Sequence, residues 1–281
     1  MLAKTRAWLS HPLTRGLDLD DPSTVERCRQ LIQSKPTLRA IYREWYGAIS
    51  RALPAGTGAV LEVGSGPGFL AEFIPGLVTS EILACRGIRV SLDATRLPFS
   101  AGTLRAIVMT NVLHHLPQPR LFFAEAGRCI QPGGAIVMIE PWVSTWSSFV
   151  YGRLHHEPFD REAQSWEFPA SGPLSGANGA LPWILFARDR VRFEAEFPEW
   201  GIESIRPGMP FRYLLSGGVS LRTLTPPASD GAWRCLERLI EPWISHWAMF
   251  AQIKLVRRAS PAGSLGIPFV GPNEEFEVAK L

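Results

Sequence analysis

Three blocks of the chain are apolar almost without interruption: 59–63 (AVLEV), 106–111 (AIVMTN) and 135–140 (AIVMIE). Continuous runs of this kind, with little polar alternation, suit strands buried on both faces. Shorter strand patterns stand at 78–82 (VTSEI), 89–93 (RVSLD) and 202–206, and the last, 251–257 (AQIKLVR), alternates. Helical spacing lies between them. In 37–53 the apolar positions Leu38, Ile41, Tyr42, Trp45, Ile49 and Leu53 recur close to every 3.6 residues. Asp21-Pro22 predicts a helix start, Asp as N-cap and Pro in the first turn, running to about Gln33. Leu121, Phe122, Ala126 and Ile130 predict a helix over 119–130, and 189–197 predicts another. Strands alternating with helices imply an α/β fold with a mostly parallel sheet.

The first block runs into Gly64-Ser65-Gly66-Pro67-Gly68, and 69–74 then reads as a short helix stopped by Pro75-Gly76. Strand, glycine turn and helix open a nucleotide-binding unit. Glycines let the backbone turn tightly and approach a ligand, and a helix N-terminus presents free N–H groups. The dinucleotide spacing G-x-G-x-x-G would need glycine at 69, where Phe69 stands. A dehydrogenase is disfavoured on that ground.

Composition narrows the class. The 281 residues are 46% hydrophobic and 20% charged, which is enough apolar material for a sizeable core. A net charge of +3 without a basic, aromatic-interleaved run argues against nucleic acid. Cys28, Cys85, Cys129 and Cys235 are scattered, with no C-x-x-C pair, as expected of a protein in a reducing cytoplasm. The N-terminus lacks a continuous apolar segment of secretory type, and no run approaches the roughly 18 apolar residues of a membrane span.

The pattern Glu62-x-Gly64-x-Gly66-x-Gly68 resembles motif I of the class I S-adenosylmethionine (SAM) dependent methyltransferases, close to the small-molecule and quinone types. DATRLPFSAGTLRAIVMTNVLHHL (93–116) and CIQPGGAIVMIEP (129–141) resemble later stretches of the same family, in the same order. The resemblance covers 58–140. It implies a seven-stranded Rossmann-like sheet in the order 3-2-1-4-5-7-6, last strand antiparallel. SAM would be the cofactor and S-adenosylhomocysteine the product. Glu62, Gly64, Ser65, Gly66 and Gly68 would form the cofactor turn, with Ala94 and Asn111 beside it. Glu81 would accept the ribose hydroxyls and Asp93 the adenine amino group. Only 11 residues separate those two acids, so the usual helix between them should be missing.

By the same resemblance the leader, 1–57, closes over the cofactor, with Tyr42 or Tyr46 near its methionine end or merely packed there. The loops after the fourth and fifth strands bring His114, His115, Glu140 and Trp142 towards the methyl group. His114 is expected to act as the base, or else to be a satisfied histidine beneath the cap, and His115 to be its structural, hydrogen-bonded partner at the substrate site. Glu140 either orients His114 or binds substrate.

Residues 141–258 complete the sheet and carry two insertions, and 259–281 reads as a loosely ordered tail rich in Gly and Pro. Eight of the ten tryptophans follow residue 140. The segment His155-His156-Glu157-Pro158-Phe159-Asp160 gathers two histidines and two acids, but without the spacing of a zinc signature. No metal is expected, leaving acceptor contacts by His155 and His156 or loop packing. The second insertion contains Tyr213, also assigned to the acceptor, and a helix from about Ser229 kinked at Pro242. Trp233, Leu236, Ile240, Trp243 and Trp247 line one side of it. This aromatic roof is packing, a pocket for an apolar acceptor, or a face for peripheral membrane contact. The expected function is methyl transfer to a small apolar, aromatic or lipid-like acceptor, on oxygen rather than carbon. The alternative is a non-catalytic subunit that binds a partner through its Trp-rich half.

Overall fold

The computed structural model describes residues 10–14, 21–154, 157–169, 172 and 176–259. Its centre is a seven-stranded sheet: β1 Ala59–Glu62, β2 Val78–Glu81, β3 Val90–Ser91, β4 Leu104–Thr110, β5 Ile130–Pro141, β6 Trp200–Gly208 and β7 Phe250–Arg257. The spatial order is β3-β2-β1-β4-β5-β7-β6, and β7 runs antiparallel to both of its neighbours. This is the order the sequence resemblance implies.

The apolar blocks alternate across the sheet, as a period of two demands. Leu61, Ile107, Met109, Ile136 and Met138 face a core completed by Phe122 and Phe123 of the helix Pro119–Cys129, with Phe186 and Trp200. Val60, Ala106, Val108, Ala135 and Val137 face the other way, onto Leu38, Ile41, Trp45 and Ile49 of the leader helix Pro36–Ala52. Both sheet faces are therefore covered.

The leader begins with the helix Pro22–Ser34, capped by the Asp21 carboxylate accepting from the Ser23 N–H at 2.8 Å. Residues 1–9, 15–20 and 260–281, and with them most of the expected tail, lie outside the described residues.

Two expectations need correction. The segment after the glycine turn is a single 3-10 turn, Leu70–Glu72, rather than an α-helix. Six residues between Gly68 and Pro75 are too few to offset the cost of nucleating a helix. The Phe69 and Phe73 rings are instead held against Tyr46. The helix Asp230–Leu239 ends before Pro242 rather than bending there, giving way to a 3-10 turn and the short helix Ile244–Trp247. Proline removes an N–H and crowds the preceding turn, which suffices to stop a helix. Within the first insertion, for which the sequence suggested no element, lie the helix Thr145–Leu154 and a π-helical turn, Ile184–Arg188.

As expected, no helix separates β2 from β3 among the described residues. The leader's first helix, Pro22–Ser34, reaches this thinly covered edge instead, and its Arg29 guanidinium donates to the Gly66 carbonyl at 3.3 Å.

Candidate functional site

Beyond the carboxyl ends of β1, β2 and β4 lies a cavity of about 460 Å³. It is closed by the leader (Val25, Cys28, Tyr42), the first insertion (Tyr151, Glu157, Phe159) and the second (Tyr213, Gly218). The three chain segments expected to form one roof do so. Its aromatic residues are tyrosines and phenylalanines, however, and no tryptophan lines it among the described residues. Trp142, expected on the acceptor, lies in the hydrophobic core beneath the sheet, while Trp243 is 59% exposed on the outer surface.

At one end the glycine turn is built for close approach. Gly64 and Gly66 have φ of 64° and 45°, a region L side chains rarely adopt. A side chain at Gly64 would strike Val112, whereas the space beside Gly66 is open towards the Glu81 carboxylate. Gly68 has a different task. A Cβ there would meet the Tyr46 hydroxyl at 2.4 Å, so this glycine admits Tyr46 rather than a ligand. Neither Gly68 nor Tyr46 lines the cavity; Tyr42 does.

Glu62 and Ser65 also lie behind the turn. Ser65 donates its hydroxyl to Glu62 at 2.6 Å and accepts the Ser80 N–H at 3.1 Å, tying β1, the turn and β2 together. Burial pushes the Glu62 carboxyl up to about 7 even though Ser65 favours the anion. These two residues hold the cofactor turn in shape and do not face the ligand space.

Glu81 closes β2 and lines the cavity, accepting the Gly66 N–H at 3.0 Å and the Ile82 N–H at 2.9 Å. Burial raises its pKa, against the two N–H groups that favour its charge. Asp93 lines the cavity from its exposed rim, with one oxygen accepting both the N–H and the hydroxyl of Thr95 at 2.8 Å. Ala94 and Asn111 line it too, Asn111 with a φ of 58° at the end of β4.

The other end is set by Glu140. Its carboxylate is wholly buried at the end of β5 and does not line the cavity. One oxygen accepts the Val112 and Leu113 N–H groups, each at 2.8 Å; the other faces His114 Nδ1 at 2.7 Å. Of the two roles left open for Glu140, orienting His114 is the one the geometry provides.

His114 and His115 follow on the 3-10 turn Leu113–His115, their rings 4.1 Å apart. His115 Nδ1 lies 3.1 Å from the Gly176 carbonyl. Glu157 lies opposite, its carboxylate 3.7 Å from His114 Nε2 and 3.9 Å from His115 Nε2. Burial works against a charged His114, but the Glu140 and Glu157 carboxylates outweigh it and lift the pKa to about 9. Burial and the neighbouring His114 push His115 down to about 4.

Glu157 is the chief residue that sequence reasoning left unassigned. It comes from the first insertion, more than forty positions after His114, and only tertiary contacts bring it in. The Asn178 N–H donates to the His114 carbonyl at 2.9 Å, and the Gly179 N–H to the Pro158 carbonyl at 2.9 Å. The insertion is thus pinned to the histidine turn. His155 and His156 lie outside the described residues. Tyr213 lines the cavity, stacked on Trp45.

A seven-stranded sheet in this order, with a glycine turn after β1 and acids at the ends of β2 and β3, defines the class I SAM-dependent methyltransferase fold. Residues 61–138 match the family model described as a methyltransferase domain. Within residues 61–138 the chain is therefore similar to the methyltransferase-domain family, on a sheet that has the class I SAM-dependent methyltransferase order, and no particular member is singled out.

Among curated proteins, uncharacterized methyltransferases from Mycobacterium sp. strains JLS and KMS are each 29% identical over 132 residues, covering 42% of this chain and 52% of the relative. The chain thus spans about half the length of the curated relatives it matches. Solved structures include a geranyl diphosphate C-methyltransferase from Streptomyces coelicolor A3(2), with TM-score 0.47, 13% identity, and coverage of 89% of this chain and 90% of that one. A Haloferax volcanii methyltransferase complex with the Trm112 activator has TM-score 0.48, 12% identity, and coverage of 86% and 100%.

Proposed function

We propose that the protein transfers the methyl group of SAM to a small apolar, aromatic or lipid-like acceptor, on oxygen rather than carbon. The observation that carries this reading is the polarity of the cavity. Carboxylates at 81, 93 and 157 line it and, among the described residues, no Lys or Arg does. A pocket lined by acids and lacking cationic side chains among the described residues suits a cationic sulfonium nucleoside and repels a pyrophosphate. A dinucleotide would also want an α-helix N-terminus at the turn, where only the 3-10 turn Leu70–Glu72 stands.

SAM, when bound, supplies an activated methyl group and its own leaving group. The protein's part is alignment and exclusion of water. Gly66 allows the nucleoside close to the backbone; the Glu81 carboxylate, each of whose oxygens accepts one backbone N–H, keeps further lone pairs for the ribose hydroxyls, and the second oxygen of Asp93 accepts the adenine donor. Tyr42, Tyr151 and Tyr213 wall the cavity between the two ends. His114, His115 and Glu157 then form a polar patch that would fix an acceptor oxygen in line with the S–CH3 bond, where positioning supplies most of the rate. The buried, oxygen-binding character of this patch favours O-methylation.

No helix among the described residues is long and apolar enough to cross a membrane. A small-molecule reaction in the cytoplasm without nucleic acid is the setting this reading adopts, and it leaves the exposed Trp243 surface free for peripheral contact. The non-catalytic alternative is disfavoured by the open space beside Gly66, which a scaffold has no need to keep.

Calorimetry tests the first half of the proposal: 1:1 binding of S-adenosylhomocysteine is expected, and its absence in folded protein would overturn the reading. Cell extract incubated with the protein and methyl-labelled SAM tests the second. A labelled product whose methyl sits on oxygen supports it, whereas a label on carbon or on nucleic acid contradicts it.

A further inference from the structure

We propose that His114 Nε2, His115 Nε2 and a Glu157 carboxylate oxygen form a binding site for a divalent transition-metal cation at the acceptor end of the cavity. The three donor atoms lie within 4.8 Å of one another. The His114 Nε2 and His115 Nε2 distances to Glu157, 3.7 and 3.9 Å, exceed those of an N–H···O bond. A cation with tetrahedral ligands at roughly 2.0–2.2 Å would hold the donors about 3.3–3.6 Å apart, a small closure for side chains.

The second nitrogens of the rings make the stronger case. His114 Nδ1 faces the Glu140 carboxylate at 2.7 Å and His115 Nδ1 faces the Gly176 carbonyl at 3.1 Å. Both partners are acceptors only, so both Nδ1 atoms carry the hydrogen. The Glu140 and Glu157 carboxylates favour a protonated His114, so a cation binds there by displacing the Nε2 proton, after which both imidazoles present their lone pair on Nε2. Fixing the tautomer through the far nitrogen, by a carboxylate or a backbone carbonyl, is the arrangement that metal-binding histidines use. With the rings 4.1 Å apart on one short turn, both Nε2 atoms face Glu157 together. The turn is held by the N–H bonds of Val112 and Leu113 to Glu140, and the Glu157 segment is pinned to it through Asn178.

Two imidazoles and one carboxylate suit zinc, iron, cobalt or nickel better than magnesium or calcium, which prefer all-oxygen shells. Three protein ligands leave coordination positions open, and these face the cavity. The ligand class that fits there is an acceptor bearing a hydroxyl or enol oxygen. The sequence expectation of no metal considered only the 155–160 segment, whereas this donor set is split between two loops. The cation site stands on donor geometry and does not depend on the methyl-transfer reading.

Tag-free full-length protein, stripped with chelator and dialysed, is titrated with Zn2+ by calorimetry and with Co2+ by visible absorption. The expected result is one cation per chain with micromolar or tighter affinity, and Co2+ bands of a four- or five-coordinate site. His115→Ala and Glu157→Gln, each retaining the wild-type unfolding temperature within a few degrees, should weaken binding at least tenfold. Absence of 1:1 binding below about 100 μM, or unchanged binding in both variants, would overturn the proposal. Loss of S-adenosylhomocysteine binding alone would count against methyl transfer and leave the cation site standing.

Discussion

Glu140 and His114 meet at 2.7 Å through one carboxylate oxygen and Nδ1, while the other oxygen of Glu140 holds the two backbone N–H groups just before the histidine. One side chain thus fixes both the ring and the turn that carries it. Glu140→Gln keeps the shape but loses the charge and at least one acceptor. Hydrogen bonds to charged groups contribute about 1.5–3 kcal/mol each. Urea unfolding should therefore show a loss of about 2–4 kcal/mol, with S-adenosylhomocysteine affinity changed less than threefold because Glu140 does not line the cavity. A large loss of cofactor affinity with unchanged stability would contradict this assignment.

Glu62 makes stability pH-dependent in a direction opposite to the usual carboxylate. Its folded pKa is raised from 4.5 to about 7, so the fold holds a proton that the unfolded chain has already released. Stability from this group is present below pH 4.5 and is lost as pH rises through 7. A shift of this size corresponds to something on the order of 3 kcal/mol. Glu62→Gln removes the titration, so wild type minus variant stability should fall between pH 5 and pH 8. Urea titrations at four pH values would check the slope; a flat difference would show that Glu62 is charged throughout.

How much of this was legible beforehand depends on the range of the contacts. The central strands were legible in the apolar blocks at 59–63, 106–111 and 135–140, because burial on both faces marks such a strand locally, whereas their spatial order came from the family resemblance. Gly64 and Gly66 were legible as a turn because neighbouring residues build it, while Glu81 and Asp93 were expected from the resemblance alone and both line the cavity. Glu157 was not, since nothing in its own segment points to His114 forty residues away. The tryptophans misled for a related reason. Composition shows that large apolar side chains are present but not which side of a helix the core takes, and Trp142 and Trp243 went inward and outward instead of onto the cavity.

Gly68 and Tyr46 should be energetically coupled. The Tyr46 hydroxyl lies where a Cβ at 68 would fall, 2.4 Å away, and the Ser65 carbonyl is 2.9 Å from the same point. Gly68→Ala should destabilise by about 1–3 kcal/mol through overpacking. Tyr46→Phe removes the hydroxyl and one of the two clashes, so the double variant should recover part of the loss. A double-mutant cycle by thermal or urea unfolding should give a coupling above about 0.5 kcal/mol. Simple additivity would mean that the turn moves away from Tyr46 instead.

Glu81 and Asp93 should differ in how much each holds the nucleoside. Glu81 is buried and also fixes the Gly66 N–H at 3.0 Å, so Glu81→Gln disturbs both the ligand contact and the turn. Asp93 sits at the exposed rim, where water competes for its donor. By calorimetry, Glu81→Gln should weaken S-adenosylhomocysteine by about 10–100-fold and Asp93→Ala by about 3–10-fold, within the range for hydrogen bonds to charged groups. Ligand pairs separate the two assignments. Wild type should prefer adenosine to 2′,3′-dideoxyadenosine, and Glu81→Gln should erase that preference while Asp93→Ala preserves it. If Asp93→Ala erased the preference instead, the ribose would lie on Asp93 and the nucleoside would run through the cavity in the opposite sense.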